Sequence, residues 1–182
     1  MKLPQRLSTE RLELRPATIE DADAVFGYAS DPGVSRYLPW RPHASREDTI
    51  DFLRRCEQDW RDGSAFPWVI VEAGRVVGMI EAGIDGYRAS LGYVLASDAW
   101  GRGIATEAVE AVVGALLELP ELWRVWATCD VENRASARVL EKAGFSFEGV
   151  LHRWDRHNVG PEPRDARVYA IWRNPSGEWG LR

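Results

Sequence analysis

Between residues 91 and 119 the apolar positions of this chain change period, and that change restricts the fold more than any other feature of its 182 residues. Residues 91–95 form a short apolar run of strand type, and a loop holding Gly101 and Gly103 follows. Ile104, Ala108, Ala111, Val112, Ala115, Leu116 and Leu119 then recur at helical spacing, with Pro120 just past the end. A second strand is predicted over 124–129. Ala135, Val139, Leu140 and Ala143 mark a short helix stopped by Gly144, and a further strand covers 145–150. Strand, helix, strand, helix, strand in this order predicts α/β packing.

The first half reads differently. Leu12 and Leu14 alternate with charged neighbours and predict an opening strand. Thr18 with Asp21, and Ser45 with Asp48, are capping pairs for helices running to about residues 28 and 61, the second ending near Gly63. Asp31-Pro32-Gly33 is turn chemistry. Residues 68–71 and 76–84 read as a hairpin around Ala73-Gly74. Short turns here predict an antiparallel half, so the expected architecture is one mixed sheet flanked by helices. One domain is expected over 1–182, with its core at about 9–172, a closing strand at 168–172 and a poorly ordered tail from Asn174.

Composition excludes several function classes. A net charge of −5 lacks the broad basic footprint of a nucleic-acid binder, and suits a positively charged acceptor such as an amine. Cys56 and Cys129 show no metal-ligand spacing, so no metal is expected, and Cys129 reads as a buried thiol. The longest apolar run, 111–117, is too short to span a bilayer, and the first fifteen residues do not read as a secretory signal. No membrane association is expected, and cytoplasm is the expected location. The nine tryptophans are the one oddity; packing is their expected role, with a binding groove as the alternative.

The loop Trp100-Gly101-Arg102-Gly103-Ile104-Ala105-Thr106 carries the chemistry. Two glycines leave backbone N–H groups uncovered, and the helix start adds four unpaired N–H groups and a positive dipole end. Together they suit a phosphate or pyrophosphate, with Arg102 adding charge. A dinucleotide fingerprint fits poorly, because Thr106 stands where its third glycine belongs and residues 96–100 separate strand from loop. A phosphate loop of the Walker type needs Gly-Lys, and that dipeptide does not occur.

Gly92-Tyr93-Val94-Leu95, the run from Trp100 to Ala105, and Glu107-Ala108 together resemble the cofactor motif of the GNAT superfamily of N-acetyltransferases. In that motif a Gln or Arg precedes the glycines; Gly103 and Ala105 match, and Trp100 replaces the first residue. This variant resembles the branch that acetylates ribosomal-protein N-termini. Thr9-Glu10-Arg11-Leu12-Glu13-Leu14-Arg15-Pro16 resembles that branch's opening strand, and Asn133, Ser136, Glu141-Lys142 and Gly144-Phe145 its second cofactor helix. The likeness covers about residues 9–172. It implies a GNAT-like acyltransferase fold, acetyl-CoA as co-substrate, and a splayed pair of parallel strands at 91–95 and 124–129 with the pantetheine arm in the gap. Backbone groups of Val94, Leu95 and Ala96 would pair with that arm, and Gly101 to Thr106 would hold the pyrophosphate. Asn133 would bond the pantetheine amide, although Asn is also a natural helix cap. Ser136, the only hydroxyl that this helix offers, would face the cofactor sulfur. Arg134, Arg138 and Lys142 share a face that can meet the CoA phosphates, Arg134 being nearest the helix start.

Acetyl transfer needs a neutral amine. At pH 7 a lysine amine is neutral in only about 0.04% of molecules and an α-amine in roughly 10%. Many members of the superfamily place a glutamate in the strand before the glycine loop; Ser90 occupies the matching position and cannot serve. Glu81 is the expected substitute, a carboxylate sharing a strand face with Val77 and Met79, where burial raises its pKa. His152 and Asp165 are weaker candidates. No nucleophile with a triad pattern is evident, so direct attack in a ternary complex is expected, with an N–H near Val94 or Leu95 meeting the oxyanion. The acceptor is a protein N-terminus or a small-molecule amine, lined by residues 31–44 and 153–164. A non-catalytic CoA-binding module and a nucleotide-binding interaction domain are the readings of other classes.

Overall fold

The computed structural model describes residues 2–156 and 160–180. Its frame is an eight-stranded sheet in the order β1-β2-β3-β4-β5-β6-β8-β7, made of β1 (Leu7–Ser8), β2 (Leu12–Pro16), β3 (Ala65–Glu72), β4 (Arg75–Asp85), β5 (Arg88–Leu95), β6 (Arg124–Asp130), β7 (Ser146–Asp155) and β8 (Arg164–Trp172). Every neighbouring pair is antiparallel except β5 and β6, which run parallel because the helix α4 (Ile104–Leu117) carries the chain back between them.

Both capping pairs read from sequence are formed. Thr18 and Asp21 make a capping box before α1 (Ala22–Ala29). Ser45 and Asp48 make one at the start of α3 (Arg46–Asp62), which ends on Gly63 in the left-handed conformation (φ +69°). The turn at Asp31 goes one step further than its residues suggested. The Asp31 side chain accepts from the Gly33 N–H and starts a single helical turn, α2 (Pro32–Ser35).

The two faces of the sheet bury separate cores. On one face Ile104, Ala108, Val112 and Leu116 of α4, with Ala137 and Leu140 of α5 (Arg134–Lys142), pack on Leu14, Ile70, Ile80 and Val125. On the other, Val25 and Tyr28 of α1 and Leu53 and Cys56 of α3 pack on Val69 and Met79. A bulge in β4 divides residues that strict alternation would put together. Ile70 pairs with Gly78 and Val71 with Val76, so Val77 is an extra residue. Val77 joins the α4-side core while Met79 joins the α3-side core, and the expectation that Glu81 shares a face with both is corrected: it shares one with Met79 only.

The segment after β8 was expected to be poorly ordered and is instead tied down. Asn174 N–H donates to the Glu178 carbonyl (2.7 Å), the Trp179 indole N–H to the Leu117 carbonyl (3.1 Å), and the Arg173 guanidinium lies 4.9 Å from the centre of the Trp179 ring. A large ring with one polar edge gives a short tail enough contact to stay docked. Residues 181 and 182 lie outside the described residues. Packing is the role of Trp68, which is fully buried, but Trp100, Trp123, Trp154 and Trp172 are exposed. No described helix is long and apolar enough to cross a membrane.

Candidate functional site

The sheet is split at its centre. β5 and β6 pair only through Arg88 with Arg124, Ala89 with Val125 and Ser90 with Trp126. Beyond those residues β5 stays on β4 as far as Leu95, and β6 stays on β8 as far as Asp130, so the two strands diverge and leave a fork. Ser90, read as the residue replacing the family's usual base, is the last position of β5 that pairs with β6, and its hydroxyl reaches toward the Gly83 carbonyl (3.5 Å). Just beyond it Gly92 is exposed, and a Cβ there would meet nothing within 4 Å. A glycine in the middle of a strand is unfavourable unless something must approach the backbone closely.

The glycine loop opens from the same end of β5. The Trp100 indole N–H donates to the Leu95 carbonyl (3.0 Å), and the Ala96 N–H to the Val77 carbonyl (2.9 Å), which pins the start of the loop to the bulge. Gly101 (φ +74°) and Gly103 (φ +81°) both take the left-handed conformation that side chains disfavour. Gly103 caps α4 with no side-chain acceptor, so the N–H groups of the first turn, at Ile104, Ala105 and Thr106, have no such partner. Of the backbone groups expected to meet a pantetheine arm, those of Ala96 are already engaged: its carbonyl accepts from the Ala99 N–H (3.0 Å). Arg102 is paired with Glu72 (2.8 Å).

Glu107 holds this loop against the opening strands. It accepts from the Thr9 hydroxyl, from the Arg11 N–H (3.1 Å) and from Arg11 Nε (2.7 Å), while Arg11 Nη1 donates to the Arg102 carbonyl (3.1 Å). Burial pushes the Glu107 carboxyl up, but the bonds from Thr9 and Arg11 outweigh it and hold the group below its usual range. A groove of about 650 Å³ lies beside the loop, lined by Thr9, Arg11, Gly103, Thr106, Glu107 and Lys142 among others. Of the three basic residues on α5, Lys142 lines this groove rather than Arg134.

α5 faces the fork with its N-terminus. Asn133 caps it, its side-chain oxygen accepting from the Ser136 N–H (3.1 Å), so one of its polar atoms serves the helix. Ser136 is half-buried, and its hydroxyl lies 2.7 Å from the hydroxyl of Tyr93 on β5. Cys129 on β6 also contacts the Ser136 side chain; burial pushes its thiol up to about 11, so it is a neutral thiol, buried as expected.

Three sets of acidic or basic groups are candidates for the base, one on β4 and two on the β7–β8 side of the sheet. Glu81 pairs in register with Gly92, and cross-strand partners share a face, so its partner on β5 puts no side chain between Glu81 and the fork edge of that strand. More than a third of Glu81 is open to solvent, yet surrounding protein desolvates its carboxyl, which together with Asp59 of α3 holds it above its usual range. Asp155 ends β7 and weakly accepts from Thr128 of β6 (3.5 Å). His152 and Asp165 pair at 2.9 Å on the β7–β8 arm, with His152 largely exposed; backbone and His152 bonds hold Asp165 below its usual range. Sequence reasoning quoted Tyr93 and Glu107 as parts of the cofactor motif and position 155 within an acceptor loop, but gave none of the three a role of its own. A tyrosine next to a strand glycine was the available signal for the first. The others declare themselves only through partners distant in sequence. Among the described residues no cluster of three or more His, Cys, Asp or Glu is placed to hold a metal ion.

The family model described as Acetyltransferase (GNAT) domain matches residues 11–146. An uncharacterized N-acetyltransferase p20 of Bacillus licheniformis is 31% identical over 159 residues, covering 84% of this chain and 88% of that protein. A spermidine N(1)-acetyltransferase of Escherichia coli is 24% identical over 144 residues, covering 79% of this chain and 77% of that protein. The solved structure of RimL, a ribosomal L7/L12 α-N-protein acetyltransferase in complex with coenzyme A, superposes with a TM-score of 0.84 at 22% identity, covering 92% of this chain and 97% of that one.

Proposed function

The chain belongs to the GNAT acetyltransferase family, whose acetyl donor is acetyl-CoA, and from that premise we propose that it transfers acetyl to the α-amine of a peptide by direct attack in a ternary complex. The observation that carries the reading is the fork between β5 and β6, which opens beside the helix start at Gly103. The α4 N-terminus and its glycine loop take the pyrophosphate, and the pantetheine arm enters the fork along β5. The thioester then lies between Ser136 on one side and Glu81, across Gly92, on the other. The likeness to RimL supports a peptide acceptor at the level of the fold; the likeness to the spermidine enzyme supports a small polyamine as the second reading. A thiol-release assay with acetyl-CoA over peptides with free α-amines, peptides with only lysine amines, and spermidine decides between them. The fastest turnover is expected on α-amines. Turnover on spermidine alone overturns the peptide reading, and CoA binding without turnover on any amine favours a non-catalytic module.

Two substitutions test the placement. Gly92→Val fills the open space at the fork without backbone strain, since valine suits a strand and Gly92 is not in the left-handed region. The variant is expected to melt at or above the parent temperature while kcat/KM for acetyl-CoA falls at least about tenfold, the cost of misplacing bound reactants. Ser136→Ala removes a donor from the leaving thiolate. It should lower kcat by roughly 10- to 100-fold, below the upper end for general acid catalysis, and leave acetyl-CoA affinity nearly unchanged. An unchanged kcat, measured where chemistry is rate-limiting, removes Ser136 from the mechanism.

A further inference from the structure

Tyr93 crosses from β5 to α5 and meets two acceptors on a single residue. Its hydroxyl lies 2.7 Å from Ser136 Oγ and 3.2 Å from the Ser136 carbonyl oxygen. A tyrosine hydroxyl has one proton to give and can also accept, and a serine hydroxyl likewise. Two arrangements therefore satisfy the half-buried Tyr93. In the first, Tyr93 donates to the Ser136 carbonyl and Ser136 donates to Tyr93. In the second, Tyr93 donates to Ser136 Oγ, which turns the serine proton away from Tyr93 and frees it for a third atom. Both leave Tyr93 with an acceptor, so neither carries the penalty of a buried donor left without one.

We infer that Tyr93 is a positioning residue that reverses its hydrogen bond with Ser136 as the cofactor's carbon–sulfur bond breaks, so that the serine proton points at the departing sulfur. The inference rests on the reading that the thioester lies in the fork next to Ser136. The electron pair of the broken bond leaves with sulfur. The oxyanion re-forms the carbonyl as that bond breaks; no proton changes owner within the pair, two hydroxyl groups rotate, and the thiolate gains a charged hydrogen bond that the thioester sulfur did not have. A lone serine on a helix has no such neighbour to direct its proton, and readily turns it to the carbonyl one helical turn earlier.

Free CoA reports on this directly, because its thiol ionises near pH 8.5, as a thiol ordinarily does. The protein groups that face the pair are Cys129 of β6, Tyr169 of β8 and Glu141 of α5, with Arg167 and Asp130 beyond Cys129. Burial holds the Cys129 thiol at about 11 and the Tyr169 phenol at about 12, and raises Tyr93 well above its ordinary value. Between pH 6.5 and 9.5 these stay protonated, so the cofactor sulfur is the group beside the pair that changes charge.

The experiment measures, by calorimetry, the affinity of the full chain for CoA and for desulfo-CoA, which lacks the sulfur, across that pH range. In the parent protein the CoA-to-desulfo-CoA affinity ratio should rise about tenfold as the thiol ionises, the scale of one hydrogen bond to a charged group. Tyr93→Phe keeps the ring and removes the hydroxyl; its ratio should rise no more than about threefold. Ser136→Ala should leave the ratio flat. Desulfo-CoA affinity should be the same in all three proteins, a result that a merely structural role for Tyr93 would not produce. Tyr93→Met, flexible enough to fill the same space, replaces the Phe variant if that protein is insoluble. A Tyr93→Phe ratio that climbs as steeply as the parent's overturns the inference, and so does a parent ratio that does not change with pH. Failure of the parent to bind CoA or desulfo-CoA at all is a different outcome, and overturns the cofactor reading beneath it.

Discussion

Gly103→Glu is expected to abolish measurable binding of CoA and acetyl-CoA while leaving a folded protein. Gly103 stands at the start of α4 with φ at +81°, and the first-turn N–H groups behind it have no side-chain cap. A carboxylate there lies where the diphosphate is proposed to sit, and replaces attraction to a helix start with repulsion between like charges. The neighbouring cation does not neutralise it, since Arg11 is already held by Glu107 and by the Arg102 carbonyl. Any side chain at this φ is strained by roughly 1–2 kcal/mol, so some stability is lost whatever the residue. Gly103→Ala isolates that effect. Its Cβ would meet Arg11 Nη2 at 3.5 Å, an ordinary contact, and it brings no charge. Both variants should show a similar fall in melting temperature. Alanine should keep CoA affinity within about tenfold of the parent, whereas glutamate should weaken it by at least about a hundredfold, a loss of ~2.7 kcal/mol against the parent. Calorimetry that finds near-parent affinity in a folded Gly103→Glu protein moves the diphosphate away from this loop.

Why the loop was legible and its surroundings were not follows from the range of the forces involved. The glycines, the helix period after Ile104 and the boxes at Thr18–Asp21 and Ser45–Asp48 act within one or two turns, so neighbouring residues declare them. The fork depends on where two strands 36 positions apart in register stop pairing, at Ser90 and Trp126, and nothing local marks that point. Only the resemblance to a family suggested it. The insertion of β8 between β6 and β7 is likewise a matter of which edge a returning strand finds. Glu107 looks like an ordinary first-turn acid until Thr9 and Arg11, nearly a hundred residues earlier, are brought to it. Tyr93 and Ser136 are 43 residues apart. The bulge at Val77 shows the same limit on a smaller scale. Alternation assigned Val77, Met79 and Glu81 to one face, and one extra residue in the ladder moved Val77 to the other.

Glu81→Gln is expected to slow acetyl transfer at neutral pH by about a hundredfold, the lower end for general base catalysis, with acetyl-CoA affinity unchanged. The carboxylate faces the fork across Gly92, and desolvation, with Asp59 nearby, holds its pKa above the ordinary glutamate value. It must be ionised to accept the amine's proton, directly or through a water. The acidic limb of the rate profile therefore falls at a higher pH than an ordinary glutamate would set, and disappears in the variant. Because more acceptor arrives neutral as pH rises, the loss should shrink toward the amine's own pKa. It should also be smaller for an α-amine than for lysine, by the neutral fractions of roughly 10% and about 0.04%. Stability discriminates this role from a structural one. A carboxyl whose pKa is higher in the folded than in the unfolded chain binds more protons when folded, so its ionisation lowers stability as pH rises through that window. Above the raised folded-state pKa the penalty is fully present, and Glu81→Gln removes it. The variant should melt at or slightly above the parent temperature at neutral pH, and match the parent at acidic pH where both side chains are neutral. A drop in melting temperature would make Glu81 a structural partner of α3. Unaltered rates across pH, with matched α-amine and lysine peptides, would remove Glu81 as the base, and Asp155→Asn in the same series measures whether the carboxylate that meets Thr128 of β6 carries that role.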